Sequence, residues 1–258
     1  MSIKGKLKLQ YDGGAIPFHN PPIKPAHLVF TSASALLIKY ISDPDVVSSI
    51  IPEIFEINEK PVILAGFYNW GMSRNGGYRE VMLFVNVTFQ GKAYIYPVFL
   101  YVTNETALIA GREPLGVPKL LGHIEFSPLK ETNSPLVSAK LERPTGVPLA
   151  YSVIRPVRYY GKCEENSKVM EQPPIIGVRS FPGEPPITDV VAAQLEFTSG
   201  DIWECDGSIS YTGFSQIDDV HKLPVIEHLN TFMITNASAK FVNGSLERFQ
   251  IQKGIQGV

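Results

Sequence analysis

Along most of the chain apolar residues alternate with polar ones or gather in short blocks, and few stretches carry the 3.6-residue spacing of an amphipathic helix. The pattern predicts a protein made mainly of strands. Glu80 to Phe89 and Lys92 to Thr103 are rich in β-branched and aromatic residues and meet at Gln90-Gly91, which predicts a hairpin. Further strands are expected at Ala107 to Ala110, His123 to Phe126, Leu136 to Leu141, Tyr151 to Tyr159, Gln194 to Tyr211 with an interruption at Ser199-Gly200, and Ala237 to Gln252. The clearest helix start is Asp43-Pro44, a cap residue followed by proline at the first helical position, running through Val46, Val47, Ile50 and Ile51 to Pro52. A second short helix is expected at Pro224 to Leu229.

The 21 prolines and 21 glycines cluster at Pro21-Pro22-Ile23-Lys24-Pro25, at Pro173-Pro174 and from Phe181 to Pro186, without a low-complexity tract. These segments read as ordered loops. No fixed repeat is visible and strand patterns continue on both sides of Pro182, so residues 1–258 read as a single domain. The implied fold class is α+β, mainly β: a curled antiparallel sheet closing toward a barrel or cone, with a few short peripheral helices.

Composition narrows the function. A chain of 258 residues with 44% hydrophobic content can bury a large core, and a net charge of -2 does not suit a polyanionic partner. Lys24, Lys119 and Lys222 are scattered, so no basic stripe for nucleic acid forms. The amino terminus lacks the apolar core of a signal peptide, and no run approaches the ~18 apolar residues of a membrane span, so a cytoplasmic protein is expected. Cys163 and Cys205 announce no disulfide framework, and the Asn-x-Ser/Thr triplets at Asn86, Asn104, Asn236 and Asn243 read as incidental. His19, His27, His123, His221 and His228 show no ligand spacing for a metal. Gly76-Gly77 lacks the other glycines of a phosphate-binding loop, and no Gly-x-Ser-x-Gly elbow occurs.

The stretch from Gly111 to Gly122 holds the most specific chemistry. It sets Lys119, preceded by Pro118, among Val117, Leu120 and Leu121. Burial disfavours an ammonium, so a lysine there is expected to titrate lower and to supply free amine for attack on a carbonyl. The alternative is a lysine at a strand end whose head stays in water. Glu80 shares a strand face with Tyr78 and is the candidate for proton transfer. Arg112 and Glu113 precede Lys119 by seven and six residues, and a strand with a tight turn through Pro114 and Gly116 could return them to support the loop or touch substrate. Phe99, Tyr101 and Trp203 are core or pocket-wall aromatics.

These residues resemble the acetoacetate decarboxylase family, whose Schiff-base lysine lies in a Gly-Arg-Glu, four-residue spacer, Pro-Lys, Leu-Gly pattern matched at Gly111 to Gly122. Phe18-His19-Asn20, Ile51-Pro52-Glu53 with Phe55-Glu56-Ile57, Tyr78-Arg79-Glu80 and Leu223-Pro224-Val225 extend the likeness over about four-fifths of the chain. The resemblance implies a lyase without organic cofactor or metal, acting on a small-molecule keto acid through an iminium on Lys119, with Glu80 in support and a homo-oligomeric assembly. Three positions depart from it. The second lysine that follows the family's nucleophile, and helps to activate it, is Leu120; a family glutamate falls at Gly66; and an arginine becomes Pro21. Losing the arginine bears on substrate choice, because a guanidinium is the natural fork for a carboxylate. β-Keto acid decarboxylation is the first expectation, an aldolase or dehydratase using the same lysine the second, and a barrel that only binds an apolar ligand the third.

Overall fold

The computed structural model describes residues 2–7, 16–17, 19–23, 28–127, 134–166, 171–182, 187–212, 215–242 and 246–250. Thirteen strands share one sheet: β1 (Val29–Ile41), β2 (Val62–Met72), β3 (Tyr78–Phe89), β4 (Lys92–Val102), β5 (Lys119–Leu121), β6 (His123–Ser127), β7 (Val137–Glu142), β8 (Pro148–Lys162), β9 (Ile175–Phe181), β10 (Ile187–Ala193), β11 (Leu195–Tyr211), β12 (Glu227–Phe241) and β13 (Glu247–Gln250). They run in the order β13-β10-β9-β4-β3-β2-β1-β12-β11-β8-β7-β6, with β5 paired to β4 off this path. Helices α1 (Pro44–Ile50) and α2 (Glu105–Leu115) and a 3-10 turn at Asp219–Lys222 lie against it. Neighbours are antiparallel except where β4 meets β5 and β9.

The sheet is curled and remains open. β6 ends the strand order, yet the Arg79 guanidinium on β3 donates to the Ile124 carbonyl on β6 at 3.3 Å, so the two regions approach without a ladder. Behind this curl Asp218, almost fully buried, accepts from the Tyr101 hydroxyl at 3.0 Å and from the Arg143 guanidinium at 2.7 Å. That triad fixes the 3-10 turn to β4 and to the β7–β8 connection.

Both faces of the central strands are buried, which is why β1 to β4 read as nearly continuous apolar runs and not as a strict alternation. One cluster takes Leu36, Ile38, Phe67, Val81, Leu83 and Tyr101 and is covered by α1; the other takes Leu37, Leu64, Trp70, Met82, Phe84 and Leu100 and is covered by α2. In β4 the parity changes at a register shift beside Pro97, where Val98 and Phe99 both pack toward the α1 side. Proline has no N–H for the ladder and is tolerated at such a bulge.

The β3–β4 hairpin forms as expected, its two turn residues both left-handed at φ 50 for Gln90 and 76 for Gly91. α1 also forms, with the Asp43 carboxylate accepting from the amides of Asp45 and Val46. The strands expected near His123, Leu136, Tyr151 and Gln194 are present, and β11 carries register shifts on both sides of Ser199. Two expectations are overturned. Ala107 to Ala110 belongs to helix α2, because Asn104 caps its start and Gly116 ends it. Pro224 to Leu229 is no helix: β12 begins at Glu227, ten residues before the strand expected at Ala237. The single strand expected from Ala237 to Gln252 is also divided, into the end of β12 and the separate β13, which pairs with β10. Residues 24–25, 183–186, 243–245 and 251–252, in the predicted loops and last strand, lie outside the described residues.

Candidate active site

β3 supplies one wall. Its alternation sends Tyr78, Glu80, Met82 and Phe84 to the face under α2. The opposite wall depends on α2 and the connector after it. The Asn104 side chain accepts from the Ala107 amide at 2.7 Å to start the helix and donates to the Asn75 carbonyl at 2.9 Å. Gly116 closes it at φ 64, with the Gly116 and Val117 amides bonded back to the carbonyls of Arg112 and Gly111. A Cβ on Gly116 would come within 2.5 Å of the Arg179 backbone nitrogen, so both conformation and space require glycine. Three residues on, the chain enters β5 with Lys119 opposite Leu100.

There the Lys119 Nζ lies 2.7 Å from Glu80 Oε1, with Lys119 only 9% and Glu80 3% exposed. Glu80 Oε2 accepts a 2.8 Å hydrogen bond from the Trp70 indole, which fixes the carboxylate; Oε1 meets the ammonium without the angular alignment of a hydrogen bond. The Tyr78 ring flanks the amine at 5.8 Å. Burial first, then the charge of Glu80 and a hydrogen bond to it, push the Tyr78 phenol well above its ordinary range, so it stays protonated. Gly111 makes room for the lysine stem: a Cβ there would stand 2.5 Å from Lys119 Cδ and Cε.

The amine opens into a hollow of about 490 Å³, a volume that takes in open solvent at its mouth. Its lining is apolar, from Phe30, Met82, Phe84, Leu100, Val117 and Ile175 among others, and its only ionic side chains among the described residues are Lys119 and Glu80. Asn75 adds a side-chain amide. No group of three or more His, Cys, Asp or Glu suited to a metal occurs among the described residues.

Of the residues singled out in sequence, Lys119 and Glu80 come together and Tyr78 shares their face. Arg112 bonds the Lys119 carbonyl at 3.1 Å, an indirect support delivered from a helix and not from the strand and turn expected. Neither Arg112 nor Glu113 lines the cavity; the Glu113 carbonyl accepts from Arg179. Leu120 points the other way, into the α1-side cluster, because successive strand residues face opposite sides. The missing second lysine would therefore not stand beside the amine. Phe99, Tyr101 and Trp203 belong to that same far cluster. Gly66 is on the cavity side of β2, and a Cβ there would meet the Tyr68 ring at 2.4 Å, so an aromatic ring takes the space of the family's glutamate. Pro21 is not among the lining residues, and Phe18 lies outside the described ones. Trp70 and Asn75 had no motif to announce them, although Trp70 pairs with Tyr78; Gly111 opens the motif that holds Lys119, but its contact with the lysine stem was not read from it.

Comparison with known proteins follows the same lines. The family model described as acetoacetate decarboxylase matches residues 15–241. Decarboxylase DEC1 of Cochliobolus heterostrophus is 29% identical over 239 residues, covering 89% of this chain and 92% of that protein. Acetoacetate decarboxylase of Ralstonia nicotianae is 30% identical over 119 residues, 46% of this chain and 48% of its own length. Among solved structures, an acetoacetate decarboxylase superposes with a TM-score of 0.80 at 18% identity, over 95% of this chain and all of that one (100%). The enduracididine biosynthesis enzyme MppR, in complex with a condensation product of pyruvate and imidazole 4-carboxaldehyde, gives 0.75 at 16% identity over 95% and 98% of the two chains. The chain belongs to the acetoacetate decarboxylase family, a family of carbon–carbon lyases.

Proposed function

We propose that the protein decarboxylates a β-keto acid through an iminium on Lys119. The observation that carries this reading is an amine held against a carboxylate in an apolar hollow, 2.7 Å from Glu80 Oε1. Glu80 accepts the lysine's proton, and the free amine adds to the ketone carbon. Water leaves and a protonated imine forms. The bond to the carboxylate carbon then breaks, its electron pair moves toward the iminium nitrogen, and carbon dioxide departs. The proton on Glu80 having left with the hydroxyl as water, Glu80 relays a proton taken up from solvent to the enamine carbon, after which water releases the ketone and the amine. Apolar walls favour the step in which charge is lost, since a carboxylate is costly to hold away from water and carbon dioxide is not.

Aldol or dehydration chemistry on the same lysine is the second reading. It is favoured by the absence of a guanidinium among the described cavity residues and by the MppR fold likeness. Sodium borohydride added with 3-oxo acids should reduce the iminium and leave a mass adduct on the peptide that holds Lys119, absent in Lys119→Ala. Carbon dioxide release in step with substrate loss supports decarboxylation; substrate consumed without gas favours the aldol reading, and no adduct with any acid removes both.

A further inference from the structure

We infer that the substrate carries an apolar tail of several carbons on its ketone side, seated in a second hollow that continues the Lys119 cavity across the sheet; this rests on the Schiff-base reading above. The second hollow, about 500 Å³ with the open solvent at its mouth included, shares Met82, Phe84, Ile175 and Leu195 with the first. Beyond that wall it is lined by Leu37, Leu64, Tyr68, Ile95 and Phe197, with Gln172 its one side chain bearing an amide.

Strand register aligns the two. Lys119 pairs with Leu100, Leu100 with Met82, Met82 with Gly66, and Gly66 with Leu37, so one row of residues runs from the amine to the second hollow. From β5 to β2 that row covers three strand spacings, about 14 Å. Gly66 is the position in it without a side chain, and the Tyr68 ring lies over it as part of the second hollow's wall. Met82 stands between the hollows, and its unbranched thioether can shift without the penalty of a rigid side chain.

Energetics favour the same occupant. Among the described residues neither hollow offers a cation for the carboxylate other than Lys119, so a four-carbon acid gains little from charge and has one methyl group to bury. Each buried methylene is worth about fourfold in binding, and binding at a remote tail can be spent at the reacting carbon.

The test is a length series from 3-oxobutanoate to 3-oxodecanoate on the full chain, reading kcat/KM by carbon dioxide release and adduct formation by borohydride. A rise of about fourfold per methylene over the first several carbons is expected. Leu64→Trp, which fills the second hollow, and Gln172→Trp, at the less buried loop beside it, should each lower the eight-carbon to four-carbon ratio about tenfold or more. A flat or falling length profile with a Lys119 adduct overturns the tail site and leaves the Schiff-base reading standing, as do ratios unchanged in both variants. No adduct with any acid overturns both.

Discussion

A lysine and a carboxylate 2.7 Å apart and largely shielded from water depend on one another in a way that surface pairs do not. Removing the charge of Glu80 leaves a buried lysine without its partner, at a cost of about 3–5 kcal/mol, whereas exposed pairs such as Arg155–Asp206 are worth ~0–1 kcal/mol. Glu80→Gln keeps an acceptor for the Trp70 indole, so its effect isolates the charge. Chemical denaturation should show that variant to be far less stable than Asp206→Asn, and its kcat should fall by about 10²-fold or more if Glu80 moves protons. Gly111→Ala separates stability from activity. Alanine favours the helix by about 1 kcal/mol, but its Cβ would run into Lys119 Cδ and Cε. We expect near-normal melting with a marked loss of kcat, read by calorimetry and carbon dioxide release.

Helix α2 governs where the Lys119 amine emerges, and Asn104 serves it twice, as cap and as donor to the Asn75 carbonyl at the cavity. Asn104→Ala should cost ~1–2 kcal/mol from the cap and raise KM. Asn104→Asp keeps the capping oxygen and loses the donor, so it should recover most of the melting temperature while KM stays high. This helix is also where the sequence misled. Ala107 to Ala110 looks like a strand when taken alone; the signals that decide it, Asn104 before and Gly116 after, lie outside the apolar block. The β3–β4 hairpin was legible because Gln90-Gly91 and its flanks agree. The start of β12 is hidden in the sequence because Glu227, His228 and Asn230 are polar positions on an exposed or half-exposed stretch that masks its continuity with the core segment. In the site, Lys119 and Glu80 could be read from motif and strand parity; Gly111 opens the same motif, but its role could not be read from it, nor could that of Trp70, since these roles come from close packing of a helix on a stem and from a hydrogen bond between neighbouring strands.

The two cysteines report on the molecule as a whole, because Cys163 packs in the α2-side cluster and Cys205 in the α1-side one. Both are free, and burial pushes their thiols from the ordinary 9.0 up to about 11 and about 12. An unfolded chain loses these protons near 9.0 while the folded one keeps them, so the folded state binds more protons through that window. Their stabilising contribution is complete below pH 9 and declines as pH rises toward 11 to 12. Denaturation midpoints measured from pH 8 to 10 should fall, and fall less steeply in Cys163→Ala/Cys205→Ala. The same sheet carries the Lys119 amine on a strand three residues long, with Lys119 on one face and Leu120 on the other. One extra residue between Gly116 and Lys119 would put another side chain opposite Leu100 and turn the amine toward the aliphatics behind it, whereas two would restore the facing. Whether this enzyme is alive is thus decided by an odd or even count in a connector.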